Sequence, residues 1–291
     1  MVKTISQLYR EARKAIATQE DEHTSSLYAR NLVCHVTGKT TESFIADGQS
    51  YVGEKICEEM DRAVARVLSG EPLAYVLGQW DFYGMTLHVD HNVLIPRDDT
   101  CAVTALAIKQ SLFLDTSPRI MDLCTGSGCI GLAIASRVKD AKVTLADISR
   151  EALAVAKKNV TDLKLSARVS CVHADALGEP AAYLGKFDLI VSNPPYITEK
   201  EMEELPESVK RFEPHLALYG GDDGLHFYRN IAARYAQCLK SGGYLCFEFG
   251  MGQGDDVCKI LCDNGYTVLE RVKDYNDRER AVLARYDRKE D

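Results

Sequence analysis

The sequence predicts an α/β fold, in which a doubly wound and largely parallel β-sheet follows a small bundle of helices. Three observations predict it. Apolar residues recur at helical spacing over residues 1–74, strand-like and helix-like segments alternate after residue 98, and a polar connection alone joins the last two strand-like segments. Such alternation favours a parallel sheet covered by helices. We therefore expect a helical domain over 1–74, a linking β-hairpin over 75–97 and an α/β domain over 98–291.

The N-terminal region predicts three helices. Thr4-x-x-Gln7 has the pattern of a capping box and opens the first helix. The second is expected over residues 24–36 and the third over residues 53–68. Helices with no strands between them are typical of a separate bundle, whose role is either packing or the recognition of a partner.

The middle region predicts a β-hairpin that links the two domains. Aromatic residues surround Gly84, and apolar residues continue to Ile95. Pro96 fits the end of a strand, and residues 98–100 fit the start of a helix.

The C-terminal region predicts the sheet itself. The expected strands are 119–123, 142–146, 169–173, 187–192 and 244–249, and the expected helices are 130–138, 150–162, 225–239 and 253–264. The last two strands, 267–272 and 281–286, are joined by residues 273–280. Strands connected in this way pair antiparallel, so we expect them at one edge of the sheet.

The composition counts against several classes of function. The 291 residues are 46% hydrophobic and 27% charged, and they contain no apolar run long enough to cross a membrane. The start of the chain lacks an apolar signal region, which predicts a cytoplasmic protein. Ten cysteines without a CxxC pair or a Cys/His cluster predict reduced thiols and no metal site. A net charge of −8 without a dense Lys/Arg cluster counts against stable binding of nucleic acid.

The segment Asn193-Pro194-Pro195-Tyr196 follows an apolar strand. Neither proline can donate a backbone hydrogen bond, and Pro195 holds Pro194 extended, so the chain is stiff where open α/β sheets bind their ligands. The segment can hold a neutral amino group. The side-chain carbonyl of Asn193 accepts one N–H, the carbonyl of Pro194 accepts the other, and Tyr196 packs against the plane of the group. The alternative is a proline-rich turn that only closes a strand.

A glycine-rich loop opens the first helix of the predicted α/β domain. It consists of Cys124, Thr125, Gly126, Ser127 and Gly128. The glycines permit close approach of a ligand, and the N-terminus of the helix offers free N–H groups to a carboxylate or a phosphate. With Gly131 the loop also fits the pattern of dinucleotide sites, so the loop alone leaves the ligand open.

Two acidic residues at strand ends narrow the choice of ligand. Asp147 ends the second strand, where it can accept both hydroxyls of a ribose or, alternatively, cap the helix after Ser149. Asp175 ends the third strand, where it can accept an adenine amino group with Ala176 along the base, or else remain a solvated loop acid. S-Adenosylmethionine, a nucleoside with a short carboxylate tail, fits this set at least as well as a dinucleotide, with its methyl group directed at Asn193.

Several further segments carry a family resemblance. They are Tyr75-x-x-Gly78, Phe82-Tyr83-Gly84, Leu94-Ile95-Pro96-Arg97-x-Asp99-Thr100, Asp122-Leu123-x-Thr125-Gly126-Ser127-Gly128, Ser192-Asn193-Pro194-Pro195-Tyr196-Ile197, Glu213-Pro214, Ala217-Leu218, Gly220-Gly221-x-Asp223-Gly224-Leu225, Gly242-Gly243 and Glu248-x-Gly250. Together they resemble the HemK/PrmC family, the glutamine N5-methyltransferases that modify peptide-chain release factors. Asn-Pro-Pro-Tyr alone is shared with amino-methyltransferases of nucleic-acid bases, whereas the combination is far more specific.

The resemblance implies a class I S-adenosylmethionine-dependent methyltransferase fold and methylation of the glutamine in the Gly-Gly-Gln motif of release factors. It implies that residues 124–128 and Asp147 bind the cofactor, that residues 193–196 hold the substrate amide, and that the N-terminal helices help to recognise the release factor. Two positions depart from the family pattern. Cys124 replaces a more usual glycine, and Cys101 stands where glutamate is common.

We hypothesise direct in-line methyl transfer, with Asn193, Pro194 and Tyr196 as catalytic residues. Three other functions stay open. An amino-methyltransferase of adenine or cytosine bases would need a basic groove, which the acidic balance opposes. An NAD-dependent oxidoreductase would explain the glycine pattern but neither Asn-Pro-Pro-Tyr nor the closing hairpin. A non-enzymatic binding module would show no turnover.

Overall fold

The computed structural model describes residues 2–287 of the chain. These residues form two compact units, one made of residues 2–79 and 206–212 and the other of residues 80–205 and 213–287. Every helix in the described part of the chain is too short or too polar to span a lipid bilayer.

The first unit is mainly helical. Its elements up to residue 79 are β1 Lys3–Thr4, α1 Ile5–Ile16, α2 Glu22–Thr37, α3 Thr41–Ala46, β2 Tyr51–Val52, α4 Glu54–Leu68 and α5 Leu73–Leu77. The predicted capping box is confirmed, since the Gln7 amide donates to the Thr4 hydroxyl and the Thr4 amide donates to the Gln7 side chain. The prediction of helices alone was incomplete, because β1 and β2 pair antiparallel. Strands of two residues are too short to show a period in the sequence.

Apolar residues at helical spacing bury the inner faces of these helices. Ile5 and Ile16 of α1, Leu32 of α2 and Met60 of α4 are fully buried in one core. Helix α2 ends at Thr37, and Gly38 after it adopts a left-handed backbone.

A β-hairpin follows, formed by β3 Gln79–Phe82 and β4 Met85–His88, and all of it but Gln79 belongs to the second unit. The hairpin is therefore shorter than predicted, since residues 89–95 form no strand. Val89, Val93 and Ile95 are nevertheless buried, so their apolar character reflects burial in a loop. Burial without pairing gives the same hydrophobic pattern as a strand.

An α/β sheet makes up the rest of this unit. In chain order the elements are α6 Cys101–Ser111, β5 Arg119–Leu123, α7 Cys129–Arg137, β6 Lys142–Asp147, α8 Arg150–Asp162, β7 Val169–His173, β8 Phe187–Ser192, α9 Glu199–Glu204, α10 Glu207–Phe212 (part of the first unit), α11 His226–Arg234, β9 Leu239–Glu248, α12 Gly254–Asp263, β10 Tyr266–Lys273 and β11 Glu279–Tyr286. The strand order is β10-β11-β9-β8-β5-β6-β7. Five strands are parallel, whereas β11 runs antiparallel to both β9 and β10. The predicted doubly wound sheet with a closing antiparallel hairpin is confirmed.

Helices cover both faces of the sheet, as the alternation of side chains in its strands requires. Ile120 and Leu189 pack with α6, α7 and α8 on one face, and Met121 and Ile190 pack with α11 and α12 on the other. All four side chains are fully buried.

Two elements differ from the prediction in their bounds. Strand β9 begins at Leu239, five residues before the predicted start, and it departs from regular pairing with β8 around Gly242 and Gly243 before Tyr244 pairs with Leu189. Glycines within a strand often mark such a bulge, so they hid this strand from the sequence pattern. Helix α11 ends at Arg234, and a short 3₁₀ helix continues to residue 238.

Candidate active site

Asn193 directly follows β8 at the point where the strand order of the sheet reverses. Strand β5 lies between β6 and β8, and the hydroxyl of Ser192 donates to the carbonyl oxygen of Leu123 at 2.6 Å. This bond ties the carboxyl ends of β5 and β8 together. The Asn-Pro-Pro-Tyr segment therefore leaves the sheet at its topological switch point, where open α/β sheets bind ligands.

The backbone of Tyr196 is held from several sides. The side chain of Gln253 donates to the Tyr196 carbonyl oxygen at 3.1 Å, and the Gly220 amide donates to the Ile197 carbonyl oxygen at 2.8 Å. A Cβ atom on Gly220 would lie 2.5 Å from the Cα atom of Tyr196, and one on Gly224 would lie 2.3 Å from the Tyr196 carbonyl oxygen. Only glycine fits at either position, so the Gly220–Leu225 motif is the surface against which the Asn-Pro-Pro-Tyr segment packs.

The side chain of Asn193 presents a free acceptor. Its Nδ2 atom donates to the Thr100 hydroxyl oxygen at 3.4 Å, which directs the nitrogen side of the amide toward Thr100. The Oδ1 atom is buried and finds no hydrogen-bond partner among residues 2–287. A buried unpaired acceptor costs about 1–3 kcal/mol, so such atoms are concentrated where a ligand completes the bond.

A buried carboxyl group lies behind Asn193. Glu248 is the last residue of β9, and burial raises its pKa to about 7, although Thr100 and the charge of Arg280 oppose this effect. Arg280 itself forms ion pairs with Asp99 at 3.1 Å and Asp274 at 3.2 Å. In the sequence, Glu248 is only part of a family motif and has no predicted role.

The glycine-rich loop turns sharply between β5 and α7. Cys124, Gly126 and Gly128 all adopt positive φ angles, of 62°, 54° and 85°. The left-handed backbone at Cys124 explains why glycine is the usual residue there, since a side chain is strained in this conformation. Gly128 precedes the first residue of α7.

Asp122 holds this loop from within. One oxygen of its buried carboxyl accepts the Thr125 hydroxyl at 2.5 Å and the Gly131 amide at 2.9 Å. Burial raises the pKa of Asp122 to about 7, against these two bonds. A Cβ atom on Gly131 would lie 2.3 Å from the Leu145 side chain, so this glycine allows α7 to approach the sheet.

Asp147 bridges the loop and the next helix. Its two carboxyl oxygens accept the Gly126 amide at 2.8 Å and the Ser149 amide at 2.9 Å. Burial raises the pKa of Asp147, and the bonds from Gly126 and Ser149 oppose the shift. Helix α8 is capped by Ser149, whose hydroxyl accepts the Ala152 amide, so Asp147 is not its cap.

Asp175 and Ala176 lie beyond the end of β7. The strand ends at His173, so Asp175 follows it by two residues instead of ending it as predicted. The side chain of Asp175 is exposed and accepts the Leu177 amide at 2.8 Å, while its carbonyl oxygen accepts the Tyr235 hydroxyl at 2.9 Å. Ala176 is buried.

A cavity of about 290 Å³ brings most of the predicted site residues together. Those that line it are Cys124, Thr125, Gly126, Ser127, Asp147, Asp175, Ala176, Asn193 and Pro195. Gly128, Pro194 and Tyr196 do not line it. Gly128 instead directly precedes α7. Burial raises the pKa of the Tyr196 phenol, which keeps it neutral.

Further residues line the cavity for which the sequence predicts no role. Arg97 and Thr100 line it, as do Leu216 and Phe227. Arg97 forms an ion pair with the buried Glu213, whose other oxygen accepts the Ile95 amide at 3.2 Å. The two motifs that contain Arg97 and Glu213 thus meet at the cavity, whereas Leu216 and Phe227 carry no signal beyond their apolar character.

Two parts of the chain match known families. Residues 7–78 match the PrmC N-terminal domain, and residues 100–212 match the Methyltransferase small domain. A solved methyltransferase from Pyrococcus furiosus shares the fold, with a TM-score of 0.50 and 16% identity over 78% of this chain and 100% of that one.

Relatives of known name extend these matches. The release factor glutamine methyltransferase of Clostridium acetobutylicum is 41% identical over 213 residues, which are 73% of this chain and 74% of that protein. The protein of the same name from Escherichia coli is 34% identical over 94% of this chain and 97% of its own length. Identity and coverage of this extent confirm the resemblance, and the chain belongs to the family of release factor glutamine methyltransferases.

Proposed function

We propose that this protein transfers a methyl group from S-adenosylmethionine to the side-chain nitrogen N5 of the glutamine in the Gly-Gly-Gln motif of peptide-chain release factors. The observation that carries the chemistry is the unpaired Oδ1 atom of Asn193 beside the cavity. An acceptor in this position suits a neutral N–H donor such as a primary amide.

The difficulty of the reaction lies in the nucleophile, because the lone pair of an amide nitrogen is delocalised into its carbonyl group. Asn193 Oδ1 accepts one N–H of the substrate, and the carbonyl oxygen of Pro194 accepts the other. No backbone amide in the described part of the chain donates to that carbonyl oxygen. Both bonds strengthen as positive charge develops on the nitrogen, which stabilises the transition state more than the ground state.

The residues around the cavity fit the cofactor. Asp147 lies at the end of β6, where each of its carboxyl oxygens keeps a lone pair for a ribose hydroxyl. Asp175 keeps one oxygen for the adenine amino group, and the buried Ala176 supplies an apolar surface for the base. The loop of residues 124–128 and the start of α7 receive the amino-acid tail.

When bound, S-adenosylmethionine would supply an electrophilic methyl group: the bond from sulfur to methyl breaks as the bond to the amide nitrogen forms, S-adenosylhomocysteine is released, and the methylated nitrogen loses one proton to water. The protein contributes orientation, since it brings the amide nitrogen into line with that methyl group. Tyr196 does not line the cavity, but it follows Pro195, which does, and from there it packs against the plane of the amide. The phenol of Tyr196 stays neutral, because burial raises its pKa.

Release factors are the protein substrates in this proposal, and the N-terminal helices of residues 1–74 recognise them. We propose no stable complex with nucleic acid, since the chain carries a net charge of −8. A release factor in which the Gly-Gly-Gln loop is exposed is therefore the substrate to test.

The test is a methyl-transfer assay with labelled S-adenosylmethionine and an unmodified release factor, followed by peptide mass mapping. We expect one added methyl group on the glutamine of the Gly-Gly-Gln loop. A release factor with alanine in place of that glutamine is the matched control and should stay unlabelled. Label on nucleic acid but not on protein would overturn the proposal in favour of a base amino-methyltransferase.

A further inference from the structure

Glu248 is buried next to the candidate catalytic centre without a role in the proposed chemistry. Its side chain is only about 1% exposed, and its Oε2 atom has no hydrogen-bond partner among residues 2–287. Glu248 does not line the cavity. A buried carboxyl oxygen without a partner is costly, which makes Glu248 a candidate for a functional role.

That group is the side-chain amide of Asn193. The hydroxyl oxygen of Thr100 accepts a hydrogen bond from the Asn193 Nδ2 atom, so the hydroxyl proton of Thr100 can point in another direction. Ser192 pairs with Phe247 where β8 and β9 run parallel, which places the next residues, Asn193 and Glu248, side by side. Thr100 and Asn193 lower the pKa of Glu248, as side-chain donors near its carboxylate do. The three residues thus form a chain in which a carboxylate, a hydroxyl and an amide are adjacent.

The order of donors and acceptors along Glu248, Thr100 and Asn193 determines whether the oxygen or the NH₂ group of the Asn193 amide faces the substrate. The two ends of an asparagine amide have almost the same shape, and only hydrogen bonds distinguish them. An ionised carboxylate can only accept, so it holds the NH₂ side of Asn193 inward. A reversed amide would present its NH₂ group to the substrate amide and could not accept from it.

Charged and titratable groups surround Glu248 on several elements. They are Asp99, Cys101, Cys129, Tyr196, Tyr228 and Arg280. Arg280 is shared between two ion pairs with aspartates, so its charge only partly offsets the burial of Glu248. Burial dominates and raises the pKa of Glu248 to about 7.

We propose that Glu248 is a positioning residue for methyl transfer: its carboxylate, together with Thr100, holds the Asn193 side chain with Oδ1 toward the substrate, and protonation of Glu248 releases this orientation. The inference rests on the proposed function, because it assigns a purpose to the acceptor that the reaction uses. It makes turnover sensitive to pH near neutrality, with the active form on the alkaline side.

The kinetic test compares wild type with Glu248→Gln and Glu248→Ala in release-factor methylation between pH 6 and pH 9. Supporting groups behind a catalytic residue typically contribute about 10–100-fold. We expect kcat to fall about tenfold in Glu248→Gln, whose carbonyl oxygen still accepts a hydrogen bond, and about 100-fold in Glu248→Ala, with little change in KM.

The pH profile should change as well. The loss of kcat that wild type shows below pH 7 should be smaller in Glu248→Gln. Asp122, which burial also shifts to about 7, is present in both proteins and cancels from the comparison.

Glu270→Gln is the matched control, because it makes the same substitution in a partly exposed ion pair with Lys109. We expect the kinetics and pH profile of this variant to equal those of wild type. A Glu248→Gln variant with wild-type kcat and an unchanged profile would overturn the positioning role and leave the proposed function intact.

A second readout needs neither cofactor nor substrate. In protein labelled with ¹³C-glutamate and ¹⁵N-asparagine, the Glu248 carboxyl resonance should titrate near pH 7, and the Asn193 NH₂ resonances should shift with the same midpoint. The Glu248→Gln and Asn193→Ala variants assign the two signals by their disappearance. Asn193 signals that ignore the titration of Glu248 would refute the coupling, even in an enzyme that methylates release factors. If the coupling holds but only nucleic acid is methylated, the proposed function alone is wrong.

Discussion

Gly220 packs directly against Tyr196, so closely that a Cβ atom on Gly220 would lie 2.5 Å from the Tyr196 Cα atom. The same atom would lie 2.7 Å from the Pro195 carbonyl oxygen, so the contact is with backbone that cannot rotate away. The position of the Asn-Pro-Pro-Tyr segment therefore depends on the absence of a side chain in another loop.

Replacing Gly220 with alanine should displace this segment and with it Asn193. A displacement of about 1 Å can lower a rate about 100-fold, so we expect Gly220→Ala to lower kcat by about two orders of magnitude. The measurement is steady-state methylation of a release factor, with circular dichroism to verify folding. Gly53→Ala is the control, because a Cβ atom at Gly53 meets nothing within 4 Å and its φ is −73°. Equal activity of Gly220→Ala and wild type would contradict the packing argument.

Asn193→Ala should abolish methylation while S-adenosylmethionine still binds. The substitution removes the unpaired Oδ1 acceptor, whereas the proposed contacts to the ribose and the adenine come from Asp147 and Asp175. We expect kcat to fall at least about 100-fold, as for the loss of a transition-state hydrogen bond, with less than about a threefold change in cofactor Kd by calorimetry. Asn230→Ala, at a half-buried position where the side chain donates to the His226 carbonyl oxygen of the same helix, should retain activity. Equal losses of binding and of activity would assign Asn193 to the cofactor instead.

The local parts of this site could be predicted from the sequence. The loop of residues 124–128 and the Asn-Pro-Pro-Tyr segment each follow a strand directly, so a short pattern places them at the same edge of a parallel sheet. Asp147 follows by the same reasoning. The catalytic and binding roles of these residues stay predictions.

The parts that depend on tertiary contacts could not be predicted. Thr100 meets Asn193 across 93 residues of sequence. Glu248 lies beside Asn193 because Ser192 pairs with Phe247 of the neighbouring strand β9. No local spacing encodes such a contact. Tyr196 is the opposite case. Its place in the motif predicts that it lines the site, whereas in the structure it does not line the cavity.

Cys124 offers a test of backbone strain in the loop. Its φ of 62° lies in the left-handed region, which costs a residue with a side chain roughly 1–2 kcal/mol and costs glycine little. Both Cys124→Gly and Cys124→Ala remove the thiol, but only the glycine variant relieves the strain. We expect Cys124→Gly to exceed Cys124→Ala by about 1 kcal/mol in the free energy of unfolding, measured in urea. Equal stabilities would place the strain elsewhere.

The buried carboxyl of Glu248 should make the protein more stable in acid. Burial raises its pKa from 4.5 to about 7, so the folded protein binds this proton more tightly than the unfolded chain does. The contribution of Glu248 to stability is therefore complete below pH 4.5 and is lost as the pH rises through 7. Glu248→Gln removes the ionisable group. We expect Glu248→Gln to gain about 2.5 kcal/mol of stability relative to wild type between pH 5 and pH 8, which is most of the total of about 3.5 kcal/mol for a shift of about 2.5 pKa units at about 1.4 kcal/mol per unit.

Denaturant unfolding of both proteins at pH 5 and pH 8 measures this difference, and Glu270→Gln should show no such dependence because its ion pair is partly exposed. A Glu248→Gln variant that gains stability at pH 8 while its kcat falls would show that the folded protein tolerates a costly buried charge beside Asn193. Such a trade is expected of a catalytic centre, since the orientation that serves the reaction need not be the most stable one. If Glu248→Gln loses stability at pH 8, the carboxylate forms bonds in the folded state that outweigh its burial, and its place behind Asn193 is structural.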